Sequence, residues 1–319
     1  MGLLAALVTV LIWTAFIVVA RASADPARAP TLGPFDIVFA RLLGAGLVLL
    51  PLGWWLTRGA RARQREAGLL PTAGSLWGLS PLPLRTTLQT GLFGGLLYGV
   101  LAYSGFVYAP AAHASVLLPG SLPLWTALLA AALLGEHISG SRAVGLVCIV
   151  AGDLLVGGAS LLHALDGSGV WRGDVLFIAA AFVWSCYSVL VRRLALQAVQ
   201  ATTAITVLAF LVYVPAYLLL VWLNLLSGLV FTAPLRDVLW QMLMQGVGSV
   251  VVSGISFNLM IRSFGPVRST MLTAVVPGLS ALSATLFLNE SLPWNVLCGL
   301  ALVTLGIVFG VRQAGAKKA

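Results

Sequence analysis

Residues 115–136, SVLLPGSLPLWTALLAAALLGE, and residues 269–290, STMLTAVVPGLSALSATLFLNE, align without a gap. The shift of 154 pairs Ser115 with Ser269, Pro123 with Pro277 and Glu136 with Glu290, and carried on it places Gly145 on Gly299 and Gly152 on Gly306. Each copy is an apolar run long enough to cross a bilayer, with a proline inside it and a carboxylate at its end. A second pair lies upstream. GLLAALVTVLIWTAFIVVAR, from Gly2, lies over GDVLFIAAAFVWSCYSVLVR, from Gly173, with a shift of 171 that pairs Trp13 with Trp184, Thr14 with Ser185 and Arg21 with Arg192. A chain that repeats both stretches is a tandem duplication. The shifts differ because the first half carries the longer loop, 57–87.

Composition sets the class. Of 319 residues 60% are hydrophobic and 8% charged, against roughly 25% charged in a soluble domain. Apolar runs fall near 3–20, 35–56, 88–108, 112–134, 143–162, 174–191, 203–224, 238–261, 268–288 and 295–311. They are continuous rather than alternating and too long for barrel strands. The expected fold is therefore an all-α membrane protein of ten transmembrane helices, with a first five-helix repeat over 1–162, a second over 173–312 and a tail, 313–319.

Five helices per copy make the second copy enter the membrane with opposite polarity, an inverted repeat. Loop charges bear on this independently. With the N-terminus inside, cytoplasmic segments hold thirteen Lys and Arg, outer segments hold Arg21, Arg28, Arg172 and Arg236, and Arg41 lies within the second span. By the positive-inside rule both termini are cytoplasmic. The net charge of +9 is thus a topology signal, and nucleic acid is not an expected partner. The Ala22 and Ala24 of AFIVVARASADP imitate a signal-peptidase site, but no Lys or Arg precedes the apolar core and the segment recurs in mid-chain, so it is expected to stay.

Two five-helix units, the glutamate-ended fourth and ninth spans, the arginine of FARLLGAGLVLL and the GDVLFIAAAFVWSCYSVL that opens the second unit resemble the drug/metabolite transporter superfamily, specifically its EamA-like ten-helix permeases. The resemblance covers nearly the whole chain. It implies a secondary transporter, more specifically an exporter of amino acids, other metabolites or drugs, in the bacterial cytoplasmic (inner) membrane; related branches carry nucleotide sugars. Asp153 and the long second loop depart from the pattern. No Walker motif, HExxH helix or CxxC spacing is present, and Cys148, Cys186 and Cys298 are scattered. No cofactor or metal is expected, and neither an intramembrane enzyme nor a non-transporting component fits the inverted repeat as well. The expected partners are a small-molecule substrate, the bilayer and a coupling proton or counter-solute; oligomeric state does not follow.

Several residues are candidates for the work. Trp13 and Trp184, repeat-related and mid-helix, with Tyr98 and Tyr103, are expected to line a central cavity, and His113, Ser115, Asn258 and Ser269 to offer polar contacts, with Gln89 able to orient a polar solute. Trp54, Trp55, Trp171, Trp222 and Trp294 read as an interfacial belt. Pro123 and Pro277 should each remove a backbone hydrogen bond and bend their helices toward the interior. Gly91, Gly95 and Gly99, matched in the second half by Gln245, Ser249 and Ser253, suit close helix packing. Glu136 and Glu290 either accept hydrogen bonds at the start of the following helix or act as opposite gates, with Arg192 or Arg193 and Arg21 as partners. Arg41 and Asp153, at compatible depths, are expected either to form a buried ion pair or to take part in proton coupling.

Overall fold

The computed structural model describes residues 1–25, 27, 30–158, 162, 169–273 and 275–312; the tail 313–319 lies outside them, as do Arg28, Lys317 and Lys318. Ten long helical segments follow one another: α1 Gly2–Ala24, α2 Pro34–Glu66, α3 Leu84–Tyr108, α4 Ala111–Leu134, α5 Gly140–Gly158, α6 Val170–Arg193, α7 Ala198–Trp222, α8 Leu235–Phe264, α9 Pro266–Leu288 and α10 Trp294–Arg312. Among the described residues nine are long and apolar enough to cross a membrane, and α10 carries the shorter apolar stretch Trp294–Phe309. A single bridge, Ser75 to Ser80, is the only β pairing there. Large apolar side chains such as Leu47, Leu133, Val147, Leu219 and Leu286 point outward, which suits a chain whose solvent is hydrocarbon.

α2 runs ten residues beyond the expected end of its span, into the stretch read as loop. Arg58, Arg61, Arg63 and Arg65 favour helix and need no lipid. The rest of the loop is tied to this extension: Arg61 Nε donates to the Ala73 carbonyl at 2.9 Å and Ala73 N–H to Gln64 Oε1 at 3.0 Å.

Helices of the two halves interleave. α1 packs on α8 and α9, and α6 on α3 and α4; α2 packs on α8, and α7 on α3; α2 also meets α7, and α5 meets α10. Glycines permit the closest crossings. A Cβ on Gly44 would stand 2.2 Å from the Met242 carbonyl oxygen, and one on Gly246 2.7 Å from that of Arg41. Between α5 and α10, a Cβ on Gly152 would come 2.6 Å from the Gly299 oxygen and one on Gly306 2.4 Å from the Gly145 oxygen.

The proline kinks sit one turn earlier than expected. α4 widens into a π turn over Val116–Gly120, which contains Pro119, before α-helix resumes at Leu122. In α9 helix is described over Pro266–Leu272 and over Val275–Leu288. Pro123 and Pro277 thus stand in the first turn of the renewed helix, where a missing N–H breaks no bond. Further π turns interrupt α3 at Leu92–Leu97, α5 at Leu154–Gly158 and α8 at Met242–Val252, widened turns with i→i+5 pairing that often occur at functional sites.

Candidate functional site

Trp13 on α1 and Trp184 on α6 meet at the centre of the bundle, ring centroids 6.1 Å apart and nearly perpendicular. Phe257 on α8 packs against both, at 4.9 and 5.7 Å, and Tyr98 on α3 lies 4.7 Å from Trp184. Two small cavities open beside this cluster. One is apolar, between Trp13, Phe16, Tyr98, Leu118, Pro119 and Trp184. The other lies across Trp184, between α2, α3, α7 and α8, and includes Arg41, Thr206 and Ser249. Each offers about 20 Å³, room for about one water. No metabolite fits either without movement, and Trp184 is the wall they share.

Arg41 reaches this centre from α2. Its side chain is buried, at 7% exposure, and its Nη1 donates to Tyr103 OH and Ser249 Oγ, both at 3.1 Å. Tyr103 OH donates in turn to Gln245 Oε1 at 2.7 Å. The guanidinium carbon lies 5.6 Å from the Tyr103 ring centroid and 5.9 Å from that of Phe16, cation–π contacts that partly replace lost hydration. No carboxylate pairs with Arg41 among the described residues. A charge so placed in a membrane helix costs about 2.5–3.5 kcal/mol on insertion scales.

The ion pair anticipated between Arg41 and Asp153 is not formed. α5 packs against α10 while α2 packs against α7 and α8, so matching depth along the membrane normal does not bring them together. Asp153 Oδ1 is buried without a partner among the described residues.

The two tryptophans differ in their hydrogen bonds. Trp13 Nε1 donates to Ser253 Oγ at 3.3 Å, whereas Trp184 Nε1 is buried with no acceptor. In the 154-residue register Ser253 corresponds to Gly99, which has no side chain to offer. An unmet buried donor costs about 1–3 kcal/mol.

At one end of the bundle Arg21 Nε donates to Glu290 Oε1 at 2.9 Å, and Arg21 Nη1 to the Phe106 carbonyl at 2.8 Å. Arg21 Nη2 also lies 3.3 Å from Asp25. Glu290 Oε2 accepts the Ala111 N–H at 2.9 Å. The carboxylate therefore caps the start of α4, not of the helix that follows it, and the cluster ties the ends of α1, α3, α4 and α9. Beside it His113 Nδ1 lies 2.9 Å from Asp174 Oδ1, joining α4 to α6. At the other end Glu136 has no side-chain partner among the described residues, and Arg192 and Arg193 are exposed.

Of the expected site residues, Trp13, Tyr98, Trp184 and Arg41 line the cavities, and Tyr103 adjoins them through Arg41. The others do not reach them. His113 is held at the bundle end; Ser115 Oγ accepts from Ser280 Oγ at 2.9 Å in the α4–α9 contact; Ser269 Oγ donates to the Gly265 carbonyl within its own helix. Asn258 Nδ2 locks α8 to α6 and α7 through Tyr187 OH and Thr202 Oγ1. Pro123, Pro277 and Gln89 are absent from both linings. Sequence reasoning read Gln245, Ser249 and Ser253 only as packing positions. Their signal was present, since three polar groups spaced by four on an apolar helix form one polar face.

The sequence profile described as the EamA-like transporter family matches residues 1–158 and 171–312. A protein of Escherichia coli (strain K12) described as a probable amino-acid metabolite efflux pump is 27% identical over 219 residues, covering 66% of this chain and 71% of that protein. An uncharacterized transporter, YoaV, of Bacillus subtilis (strain 168) is 24% identical over 225 residues, covering 70% and 74%. One crystal structure superposes over 100% of this chain and 98% of its own with a TM-score of 0.59 and 18% identity, a likeness of fold.

Proposed function

The chain belongs to the EamA-like transporter family, and from that premise we propose that it is a secondary active carrier that exports a small metabolite or amino acid by alternating access. It is a multi-pass membrane transporter; the finer reading places it in a bacterial inner membrane, with ten helices arranged as two inverted five-helix repeats and both termini in the cytoplasm. Three things support that arrangement. The family match falls in two stretches that coincide with the two halves. Exchanging each helix of one half for its counterpart leaves the packing pattern unchanged: α1 on α8 and α9 becomes α6 on α3 and α4. The close pair Gly152–Gly299 becomes Gly306–Gly145, which also touches.

The observation that carries the mechanism is the asymmetry of the two ends. Arg21 and Glu290 close one end over a central aromatic site, while their counterparts Arg192 and Glu136 stand apart. A carrier needs each end closed in turn around a shared site. Arg21–Glu290 is the gate closed in this conformation, Arg192–Glu136 the gate closed in the other, and the π turns of α3, α4 and α8 supply the bending points. Export is the direction that the Escherichia coli relative's description favours.

Counterflow tests this. Liposomes holding the purified chain and preloaded with separate unlabelled pools of amino acids, nucleotide sugars or cationic drugs should accumulate matched labelled tracer with one pool, above protein-free liposomes. Absence of accumulation with every pool, from folded protein, contradicts the carrier reading.

A further inference from the structure

The central cluster holds more hydrogen-bond donors than acceptors. A guanidinium has five N–H groups, and Arg41 engages partners only through Nη1; the N–H groups on Nε and Nη2 have no protein acceptor among the described residues. Trp184 Nε1 and Gln245 Nε2 are also buried donors without acceptors. Tyr103 OH accepts from Arg41 and gives its own proton to Gln245 Oε1, and in that arrangement the amide nitrogen turns away. Trp184 lines both cavities and Arg41 lines the second. One fixed positive charge and surplus donors, all within a buried site, suit a monoanion rich in acceptors.

We propose that Arg41 is the anchor of a carboxylate, and that the central site takes a small organic acid whose flat apolar body lies between Trp13, Tyr98 and Trp184. In its use for transport this rests on the carrier reading above. A planar carboxylate matches the two-pronged guanidinium edge, and the Trp184 N–H offers a further donor. A single guanidinium neutralises one charge, which disfavours phosphate dianions in so apolar a place. No Asp or Glu lines either cavity, so an amino group finds only aromatic faces and contributes little. Trp184 must swing, or the halves part, before the two small cavities merge into a site for such a solute.

Four probes sharing one phenyl body separate the charges: 3-phenylpropionate, phenylalanine, phenethylamine and 3-phenylpropanol. Binding is measured by titration calorimetry on the full chain in lipid nanodiscs. Both carboxylate-bearing probes should bind at least about tenfold more tightly than the amine and the alcohol. Arg41→Gln should remove that preference and leave 3-phenylpropanol within about twofold. Should Arg41→Gln not fold, Arg41→Lys, which keeps the charge and loses the fork, should weaken the acid by about tenfold, and Trp184→Phe should weaken the acid more than the alcohol. Equal binding of amine or alcohol, an acid affinity untouched in Arg41→Gln, or no binding by any of the four overturns the proposal. Binding without counterflow would sink the carrier reading and keep the site; counterflow blind to charge would do the reverse.

Discussion

At one end of the bundle Arg21 reaches Glu290 at 2.9 Å, and at the other the residues equated with them by the repeat register, Arg192 and Glu136, make no contact. In the middle Trp13 donates to Ser253, and its counterpart Trp184 has no acceptor among the described residues. These asymmetries differ in origin. Both ends carry an arginine and a glutamate, so under the carrier reading proposed above their difference is one of conformation and is reversible. Ser253 stands against Trp13, and the repeat register puts Gly99, which has no hydroxyl, at the matching position of the other half, so that difference is written in the chain. The first kind of asymmetry is what a two-state machine displays in one state. The second leaves a donor for something other than protein.

Substitutions break or sharpen the comparison. The largest effect is expected from joining Arg21→Cys to Glu290→Cys with a reducible bifunctional thiol reagent, which should stop transport until reduced, because it locks one end shut. Next, Arg21→Gln leaves the largely buried Glu290 without its cation and should lower stability by about 3 kcal/mol in denaturant titration, and Glu290→Gln, which leaves Arg21 its Asp25 partner, should cost less; the swap Arg21→Glu with Glu290→Arg should recover part of the loss. Ser253→Ala leaves the Trp13 N–H unmet and should cost about 1–2 kcal/mol. Gly99→Ser runs the other way. A Cβ there meets only Val38 Cγ1, at 3.8 Å, so a hydroxyl can be housed, and by analogy with Ser253 and Trp13 in the repeat register it is expected to accept from Trp184 and add about 1 kcal/mol. The same change should weaken acid binding. Smallest is Glu136→Gln, within about 0.5 kcal/mol in stability, although it should slow transport if the other gate needs that charge.

Much of this was legible in the chain, and the boundary has a physical cause. Distance along a helix is fixed at about 1.5 Å per residue, so span lengths, the depth of Trp13 and Trp184 and the positions of the end glutamates follow from counting. The neighbour of a given helix face does not. Transmembrane helices apolar all round carry no stripe that says which side faces protein, and so Arg41 and Asp153 matched in depth yet lie among different helices. His113–Asp174 escaped for the same reason. The start of α4 and the middle of α8 were harder: a proline's own position marks where helix resumes rather than where it bends, and Gln245, Ser249 and Ser253 looked like the small-residue stripe of Gly91, Gly95 and Gly99 until Arg41 and Trp13 were found against them.

The central claim is that the two ends alternate, and distances measured between spin labels at His137→Cys and Arg193→Cys test it without knowledge of the solute. Both positions are exposed at the Glu136 end. With the Arg21–Glu290 pair intact the label distribution should be dominated by the long separation of the open end, and adding Glu290→Gln should shift population to a shorter one as that end closes. A distribution that stays unchanged, or lengthens together with the freed end, would contradict alternating closure.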